Sequence, residues 1–444
     1  MQLRSSRSLV PPRLRPRRSV DLMTIAAGIS VAVALIAVVR TLLLAGHINA
    51  NGGLGYDGIN YDGMVRGVVQ PAPWGQRIVL PELIRLLHLP SQDIPRAFLL
   101  VNMAALAAIV AGAFILARRL ALAGGADPVR ARAAALIVGS LLISMTAGFR
   151  WIWFYPVLVD PFASALGVWW YASATTPSRT RQWLGVPLAG LAAATHQFWG
   201  PIIVAGALAR IVLARDRSDR RIFLAGIAST AVGVLASAAV PTHGRDPSDT
   251  LNSMIGHIGS MVHTSYGVEN LTFAMLVSFG LLPITLIGAA ISQRRRLAGA
   301  PTHGASARSL AAPMLVMTAC CLLESVAVGG DEQRHLFYAG APFILAITLG
   351  CCATRRSGDL NLVLAILVSL VIWQPFHVAS GSHVGYGYFS PQFAGAGVQS
   401  RLIGDLRRIA LPAVAWIAIA LTAGAVARWR RVARTVSPPG PPDH

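Results

Sequence analysis

The chain has 444 residues, of which 54% are hydrophobic and 13% are charged, and its formal net charge is +20. Soluble globular chains carry about 25% charged residues, so the composition excludes an ordinary soluble protein and predicts that most of the chain lies in lipid. Such a positive charge can indicate nucleic-acid binding. Here the arginines fall in short stretches between apolar runs, which membrane topology explains better, and we expect no nucleic-acid partner.

Residues 1–21 are rich in Arg, Ser and Pro, and no acidic residue precedes Asp21. This composition is compatible with a transit peptide or with the basic start of a signal peptide. The apolar run from Leu22 to Gly46 is too long for a signal peptide and long enough to span a bilayer. The sequence therefore predicts a basic cytoplasmic tail followed by a retained first transmembrane helix.

Further apolar runs predict an all-α, polytopic transmembrane helical bundle of about 11–13 spans. They cover residues 97–120, 133–148, 159–175, 184–195, 198–213, 222–240, 271–291, 310–328, 336–352, 360–376 and 409–427. The runs at 184–195 and 198–213 are short, and we expect a helical hairpin that enters from the cytoplasm and returns. The transmembrane domain is assigned to residues 22–427, and residues 428–444 to a disordered cytoplasmic tail.

Arginine clusters occur in alternate loops between these runs. They lie at 13–18, 118–132, 179–181, 215–221, 294–296, 355–356 and 428–434. The positive-inside rule places these loops and both termini in the cytoplasm of a multi-pass plasma-membrane protein. The other loops, including the long first loop at 47–96, are then external.

The first external loop holds the side chains best suited to chemistry. It contains Tyr56, Asp57, Tyr61, Asp62 and, further on, Arg77. Two carboxylates five residues apart suit general-base and positioning roles, although a cluster of turn-forming residues in a polar loop is the alternative. Residues 77–89 have apolar side chains at helical spacing and predict an amphipathic helix along the membrane interface.

Ionisable residues also gather at the predicted outer ends of the spans. They are Arg40, Arg150, Asp160, His196, Glu324, Asp331 and Arg334. Because charges at membrane depth are costly, each is a candidate functional residue. Simpler roles stay open: an i,i+3 ion pair for Asp331 and Arg334, snorkelling for Arg40, and a hydrogen-bonded helix-end histidine for His196.

Three stretches resemble motifs of the GT-C superfamily of polytopic glycosyltransferases. Gly55–Gly58 with Tyr61 looks like the first external loop of these enzymes, whose Asp is typically the catalytic base. Arg77–Pro81 resembles the R-x-L-x-P segment that follows, although Leu80 falls one position later than in that pattern. Gly330–Arg334 looks like a late Asp/Arg motif. Many GT-C enzymes carry a large soluble C-terminal domain that is not evident here, so acceptor recognition is expected in the external loops.

The resemblance implies transfer of a sugar from a polyprenyl-phosphate donor in membrane lipid to an envelope glycan, lipid or protein acceptor on the external face. Asp57 would be the catalytic base, with Asp62 as the alternate. The substrate-binding residues would be Tyr56, Tyr61, Arg77, Arg150, Asp160, His196, Asp331 and Arg334. The donor is the only small molecule implied. Some members use a divalent metal, but no compact set of carboxylates requires one here.

Other functions remain open on the sequence. A secondary transporter or flippase would use intramembrane charges, often within inverted repeats, whereas these charges lie at one face and no repeat is evident. A non-enzymatic membrane assembly protein would use no chemistry. Another lipid-linked transferase, moving phosphoethanolamine or an acyl group, would use the same scaffold.

Overall fold

A computed structural model describes residues 21–243, 303–328 and 336–354, together with 363 and 366, apart from short gaps at 45–46, 48–49, 56, 88–92 and 215. Within these residues the chain is helical and contains no β-strand. Five of the described helices are long and apolar enough to cross a membrane. The coarse prediction of a polytopic helical bundle is therefore confirmed.

Twelve α-helices lie within the described residues. They are α1 (Leu22–Leu44), α2 (Gly58–Val65), α3 (Val79–Leu86), α4 (Ile94–Ala123), α5 (Pro128–Ser144), α6 (Trp151–Phe154), α7 (Asp160–Ala174), α8 (Arg179–Thr195), α9 (Trp199–Leu213), α10 (Arg217–Ala238), α11 (His303–Val328) and α12 (Ala341–Ala353). Every predicted apolar run within the described residues coincides with a helix. The runs at 271–291 and 409–427 lie outside those residues, as does the run at 360–376 apart from residues 363 and 366.

Aspartate caps start several helices earlier than the apolar runs do. Asp93 accepts a hydrogen bond from the backbone N–H of Arg96 before α4, and Asp127 accepts two before α5. Asp216 caps α10 in the same way. A capping carboxylate satisfies N–H groups that have no partner within the helix, so the polar first turn is helical although hydropathy does not show it.

The helices α8 and α9 have 17 and 15 residues, which gives lengths of about 25 and 22 Å. They meet at the turn after Thr195 but do not pack mainly on each other. Instead α8 packs against α7 and α10, and α9 packs against α10 and α11. The predicted hairpin is therefore correct in its turn, whereas its two arms belong to different parts of the bundle.

Glycines allow α8 and α10 to touch backbone to backbone. A Cβ at Gly233 would overlap the carbonyl oxygen of Gly190, and a Cβ at Gly190 would meet the backbone oxygen of Ser229. The hydroxyl of Ser229 also accepts a hydrogen bond from the N–H of Gly190. Small residues at such contacts are typical of helices packed in membranes.

Buried arginines tie helix ends together at one end of the bundle, called here the arginine end. Arg130, which is 3% exposed, pairs with Asp21 before α1 and donates to the backbone oxygen of Ala353 at the end of α12. Arg119 donates to the backbone oxygen of Ala172 near the end of α7. These side chains satisfy terminal carbonyls, so they have structural partners in addition to the topological role that the sequence predicts.

Proline in α11 explains a further arginine contact at this end. Pro313 has no N–H, so the carbonyl of Ser309 lacks its usual partner four residues ahead. Arg210 donates to that carbonyl at 2.5 Å, and the hydroxyl of Tyr171 donates to the adjacent carbonyl of Leu310 at 2.8 Å. Arg210 of α9 therefore supplies a hydrogen bond in place of the one that the proline removes, and Tyr171 of α7 adds a hydrogen bond to the neighbouring carbonyl.

Candidate functional site

Residues 50–87 join α1 to α4 and fold at the end of the bundle opposite the arginine end. Their helices α2 and α3 share an apolar core with the extended segment 155–159 and the start of α4. The fully or nearly fully buried members are Tyr61, Met64, Leu80, Ile84, Ile94, Ala97, Phe98, Val157 and Val159. This core fixes the loop between α1 and α4 against the bundle.

The amphipathic helix predicted at 77–89 is observed as α3, over the shorter range Val79–Leu86. Its apolar side chains Leu80 and Ile84 are 0% and 1% exposed and pack in the core just described. The prediction that this apolar face lies along the membrane interface is therefore wrong for these two residues. The reason is that α2 and the extended segment 155–159 pack against the apolar stripe of α3, so protein covers it.

The glycines around Asp57 permit a close approach between this loop and the segment after α6. Gly55 has φ +69°, and a Cβ there would overlap the ring of Tyr155. A Cβ at Gly58 would lie 2.9 Å from side-chain atoms of Val157. The backbone N–H of Asp57 donates to the hydroxyl of Tyr155 at 2.7 Å. The Gly-x-Asp-Gly pattern therefore holds Asp57 directly on Tyr155.

Asn102 of α4 anchors the opposite side of that extended segment. Its side-chain amide donates to the backbone oxygens of Pro156 and Leu158, both at 2.8 Å, and the residue is fully buried. Sequence reasoning missed this residue. A lone Asn within a long apolar run was the signal, because a buried amide must find hydrogen-bond partners.

Two side-chain hydrogen bonds organise the loop residues. The indole N–H of Trp74 donates to Oδ1 of Asp57 at 3.0 Å, which fixes the carboxylate. Arg77 donates through Nη1 to the hydroxyl of Tyr61 at 2.9 Å. The Nε of Arg77 is buried and has no hydrogen-bond partner among the described residues.

Four of the predicted residues lie near enough for their charges to act on one another. Burial lowers the pKa of Arg77, but Tyr61, Asp160 and Asp57 outweigh that effect and leave it above its ordinary value. Burial raises the pKa of Tyr61, and Asp57 and Asp160 raise it further against the opposing effect of Arg77. Around neutral pH, Arg77 is therefore charged and Tyr61 is protonated.

Asp160 and His196 form a second pair beside this group. Asp160 begins α7 and His196 ends α8, and they are 5% and 4% exposed. Nε2 of His196 lies 3.6 Å from Oδ1 of Asp160, which is too long for a direct hydrogen bond. The N–H of Phe198 donates to Nδ1 of His196 at 3.3 Å. In the neutral ring the proton is then on Nε2, facing Asp160.

A small cavity adjoins this pair. It is lined by Asp160, Ser164, His196, Phe198, Trp199, Tyr338 and Ala339. Its size corresponds to about one water molecule. The lining includes the polar side chains Asp160, Ser164, His196 and Tyr338, so a water molecule in the cavity would be able to bridge Asp160 and His196, whose nearest atoms stand 3.6 Å apart.

A polar network connects the loop of Arg77 to the turn of His196. The side-chain amide of Gln197 donates to Oγ of Ser237 at 3.1 Å and to Oε1 of Gln76 at 3.4 Å. The hydroxyl of Ser237 in turn donates to the backbone oxygen of Gln76 at 2.7 Å. Gln76 precedes Arg77, and Gln197 follows His196. Sequence reasoning missed all three polar residues because each one looks ordinary in its own segment.

The other predicted site residues within the described part of the chain contact different partners. Asp62 pairs with Arg66 through both carboxylate oxygens, at 3.1 and 2.9 Å, and the Arg66 side chain is exposed. Arg150 is 3% exposed and lies near enough to Arg40 for the two positive charges to act on each other. Glu324 of α11 buries its Oε2 without a hydrogen-bond partner in the described part.

Three predicted residues, Tyr56, Asp331 and Arg334, lie outside the described residues. The described ranges contain no cluster of three or more His, Cys, Asp or Glu side chains suited to a metal ion. The chain matches no protein-family model, and comparisons with curated proteins and with solved structures find no similar protein.

Proposed function

We propose that the chain is a multi-pass membrane glycosyltransferase of the GT-C type, which moves a sugar from a polyprenyl-phosphate donor to a hydroxyl acceptor on the external face. One observation carries this proposal. Asp57, Tyr61, Arg77, Asp160 and His196, taken from three distant parts of the chain, gather at the end of the bundle opposite the arginine end. A general base, a buried cation and polar side chains are what such a transfer needs.

Asp57 is the proposed base. The acceptor oxygen attacks the anomeric carbon, its proton passes to the carboxylate of Asp57, and the bond from that carbon to the phosphate oxygen breaks. The polyprenyl phosphate leaves with the electron pair. The hydrogen bonds from Trp74 to Oδ1 and from the Asp57 N–H to Tyr155 hold the base in one orientation, and positioning of this kind is a large part of catalysis.

Arg77 is the proposed phosphate ligand. Tyr61 fixes its Nη1, while its Nε lacks a hydrogen-bond partner among the described residues. A guanidinium fork matches two phosphate oxygens, and a buried donor without a partner is costly. A bound phosphate oxygen would relieve that cost and would stabilise the charge that develops on the leaving group.

The test uses the purified full-length chain in proteoliposomes with a panel of radiolabelled polyprenyl-phosphate sugars and a cell-envelope lipid extract as acceptor. We expect labelled product with at least one donor. Asp57→Asn should lower the rate by about 10²-fold or more, and Arg77→Gln by a similar factor. Glu82→Gln, which disturbs an exposed ion pair with Arg85 in the same segment, is the matched control and should retain most of the rate.

Three outcomes would contradict the proposal. One is full activity of Asp57→Asn. Another is movement of the intact donor across the membrane without transfer, which would favour the transporter or flippase. The third is transfer of phosphoethanolamine or an acyl group in place of a sugar.

A further inference from the structure

Four large apolar side chains of residues 50–87, called here the external segment, are exposed in the part of the chain that the structure describes. Val68 and Val69 follow α2 and are 56% and 49% exposed, and Leu86 and Leu87 end α3 and are 71% and 55% exposed. These four residues are called the apolar tip. A Cβ at Gly67 would lie 3.8 Å from Nη1 of Arg85, so the turn after α2 and the end of α3 are adjacent in space.

The fold presents these side chains in a defined position. The N–H of Gly67 donates to the backbone oxygen of Met64 at 2.9 Å, and that of Val68 donates to Gly63 at 2.8 Å. These bonds close the turn after α2 and leave its two valines on the outside. Monomeric soluble surfaces rarely expose adjacent large apolar side chains in this way unless they bind something.

The surroundings of the apolar tip indicate what covers it. The external segment lies between α1 and α4, two helices long and apolar enough to span a membrane. Apolar exposure continues to the end of α1, where Leu43 is 76% exposed, and into the first turns of α4, where Leu100 is 59% exposed. Since the segment that carries the apolar tip is bounded by these two spans, we place the apolar tip at the level where lipid meets water.

Charged side chains beside the apolar tip suit the same environment. Arg66 and Arg85 have side chains 56% and 50% exposed, and long arginines reach lipid phosphates from such positions. Each also pairs with a carboxylate of its own helix, Asp62 or Glu82. The paired charges cancel, so attraction to the lipid comes from the apolar side chains and needs no anionic lipid.

We propose that the apolar tip inserts into the boundary between headgroups and acyl chains of the adjacent leaflet. Insertion by a few side chains reaches about 5–10 Å into this region. The inserted side chains hold the external segment, and with it Arg77 and Tyr61, against the lipid surface. This inference concerns the contact with the bilayer and holds whether or not the chain transfers a sugar.

The test places the full-length chain in nanodiscs after single substitution and bimane labelling at Val68→Cys or Leu86→Cys. Leu35→Cys, at an exposed position of α1, is the lipid-facing control, and Arg217→Cys, at an exposed position of the arginine end, is the aqueous control. The unsubstituted chain, with its four cysteines buried or half-buried, supplies the blank.

Lipids carrying a nitroxide near the headgroup should quench the labels at positions 68 and 86, whereas a nitroxide deep in the acyl chain should quench mainly the label at position 35. The label at position 217 should lose little emission with either lipid. Quenching at 68 and 86 should be the same in zwitterionic and anionic discs. Emission at 68 and 86 that matches position 217 would overturn the proposal. The proposal would also be overturned if the emission of these two labels differed from that of position 217 only in discs that hold two copies of the chain, because a second chain would then cover the apolar tip.

Discussion

Gly55 combines a backbone constraint with a packing constraint. Its φ of +69° disfavours any residue with a side chain, and a Cβ would also overlap Tyr155. Gly125 has a similar φ of +86° but open space around it. We expect Gly125→Ala to lower the unfolding free energy by about 1 kcal/mol, and Gly55→Ala by about 1–3 kcal/mol more.

Thermal unfolding in detergent measures both changes. The Gly125→Ala variant is the control, since it carries the conformational cost without the overlap. Equal losses in the two variants would show that Tyr155 moves aside easily and does not hold the Asp57 loop.

Burial of the Tyr61 phenol predicts sensitivity to alkaline pH. Its pKa is raised in the folded chain, while the unfolded phenol titrates near 10. Below that pH both states are protonated and the stability from Tyr61 is fully present. Above it the unfolded chain loses the proton first, so stability falls as pH rises.

Tyr61→Phe should therefore show a shallower loss of stability above about pH 10 than the unsubstituted chain. The two chains should differ by a constant amount between pH 7 and 9. Denaturant titrations across this range measure the slopes. Parallel curves above pH 10 would contradict the buried, protonated state of Tyr61.

At the scale of single residues, the sequence predicted the side chains that lie in recognisable motifs. It did not predict the side chains that hold those residues in position. Asp57 and Arg77 stand in recognisable stretches. The hydrogen-bond partner of Trp74 lies 17 residues away along the chain. The partners of Asn102 lie at least 54 residues away, and those of Gln197 lie at least 40 residues away. Such contacts exist only after the helices pack, so no local pattern shows them.

Among the helices, α11 depends on a substitute hydrogen bond. In the unsubstituted chain Arg210 donates to the Ser309 carbonyl, which Pro313 leaves without a backbone donor. Pro313→Ala restores an N–H that can bond to that carbonyl. We therefore expect Arg210→Met to destabilise the unsubstituted chain more than the Pro313→Ala chain, with a coupling of about 0.5–1.5 kcal/mol.

A double-mutant cycle of unfolding free energies measures this coupling. Arg210 also pairs with Asp219 and lies over the ring of Phe223, so some cost of Arg210→Met should persist in both backgrounds. Additive effects of the two substitutions would show that the hydrogen bond to Ser309 contributes nothing to α11.

Apolar runs predicted where helices exist but not where they begin or what they touch. The start of α5 at Pro128, ahead of the predicted 133, follows from the cap at Asp127. Leu80 and Ile84 of α3 were assigned to the membrane interface because an amphipathic stripe alone does not distinguish a bilayer from a protein core. Only the nearby segment 155–159, buried with Leu80 and Ile84, decides between them.

For the whole molecule, the two ends differ in chemistry. Arg119, Arg130 and Arg210 bind carbonyls at one end, and the acids, histidine and tyrosine of the candidate site lie at the other. This difference between the two ends agrees with the sequence, in which arginine clusters occur in alternate loops. The assignment of the arginine end to the cytoplasm stays a prediction that rests on the positive-inside rule.

Cysteine labelling in intact cells tests that orientation. A membrane-impermeant maleimide should label Ile59→Cys, at a position 47% exposed, before permeabilisation. It should label Arg217→Cys only afterwards. The reverse order would place the candidate site inside the cell, where the proposed external reaction has no donor.

The hydrogen bonds among Gln76, Gln197 and Ser237 restrict how the site is able to open. These bonds connect the loop that contains Arg77 to the turn that contains His196 and to the last turn of α10. A motion of the loop alone would break both hydrogen bonds to Gln76 at once and would leave only the bond between Gln197 and Ser237. Entry of a bulky lipid head group therefore costs less free energy if the loop and the turn move together as one rigid body. Such a motion keeps the distance between the guanidinium of Arg77 and the imidazole of His196 the same in the open and closed forms.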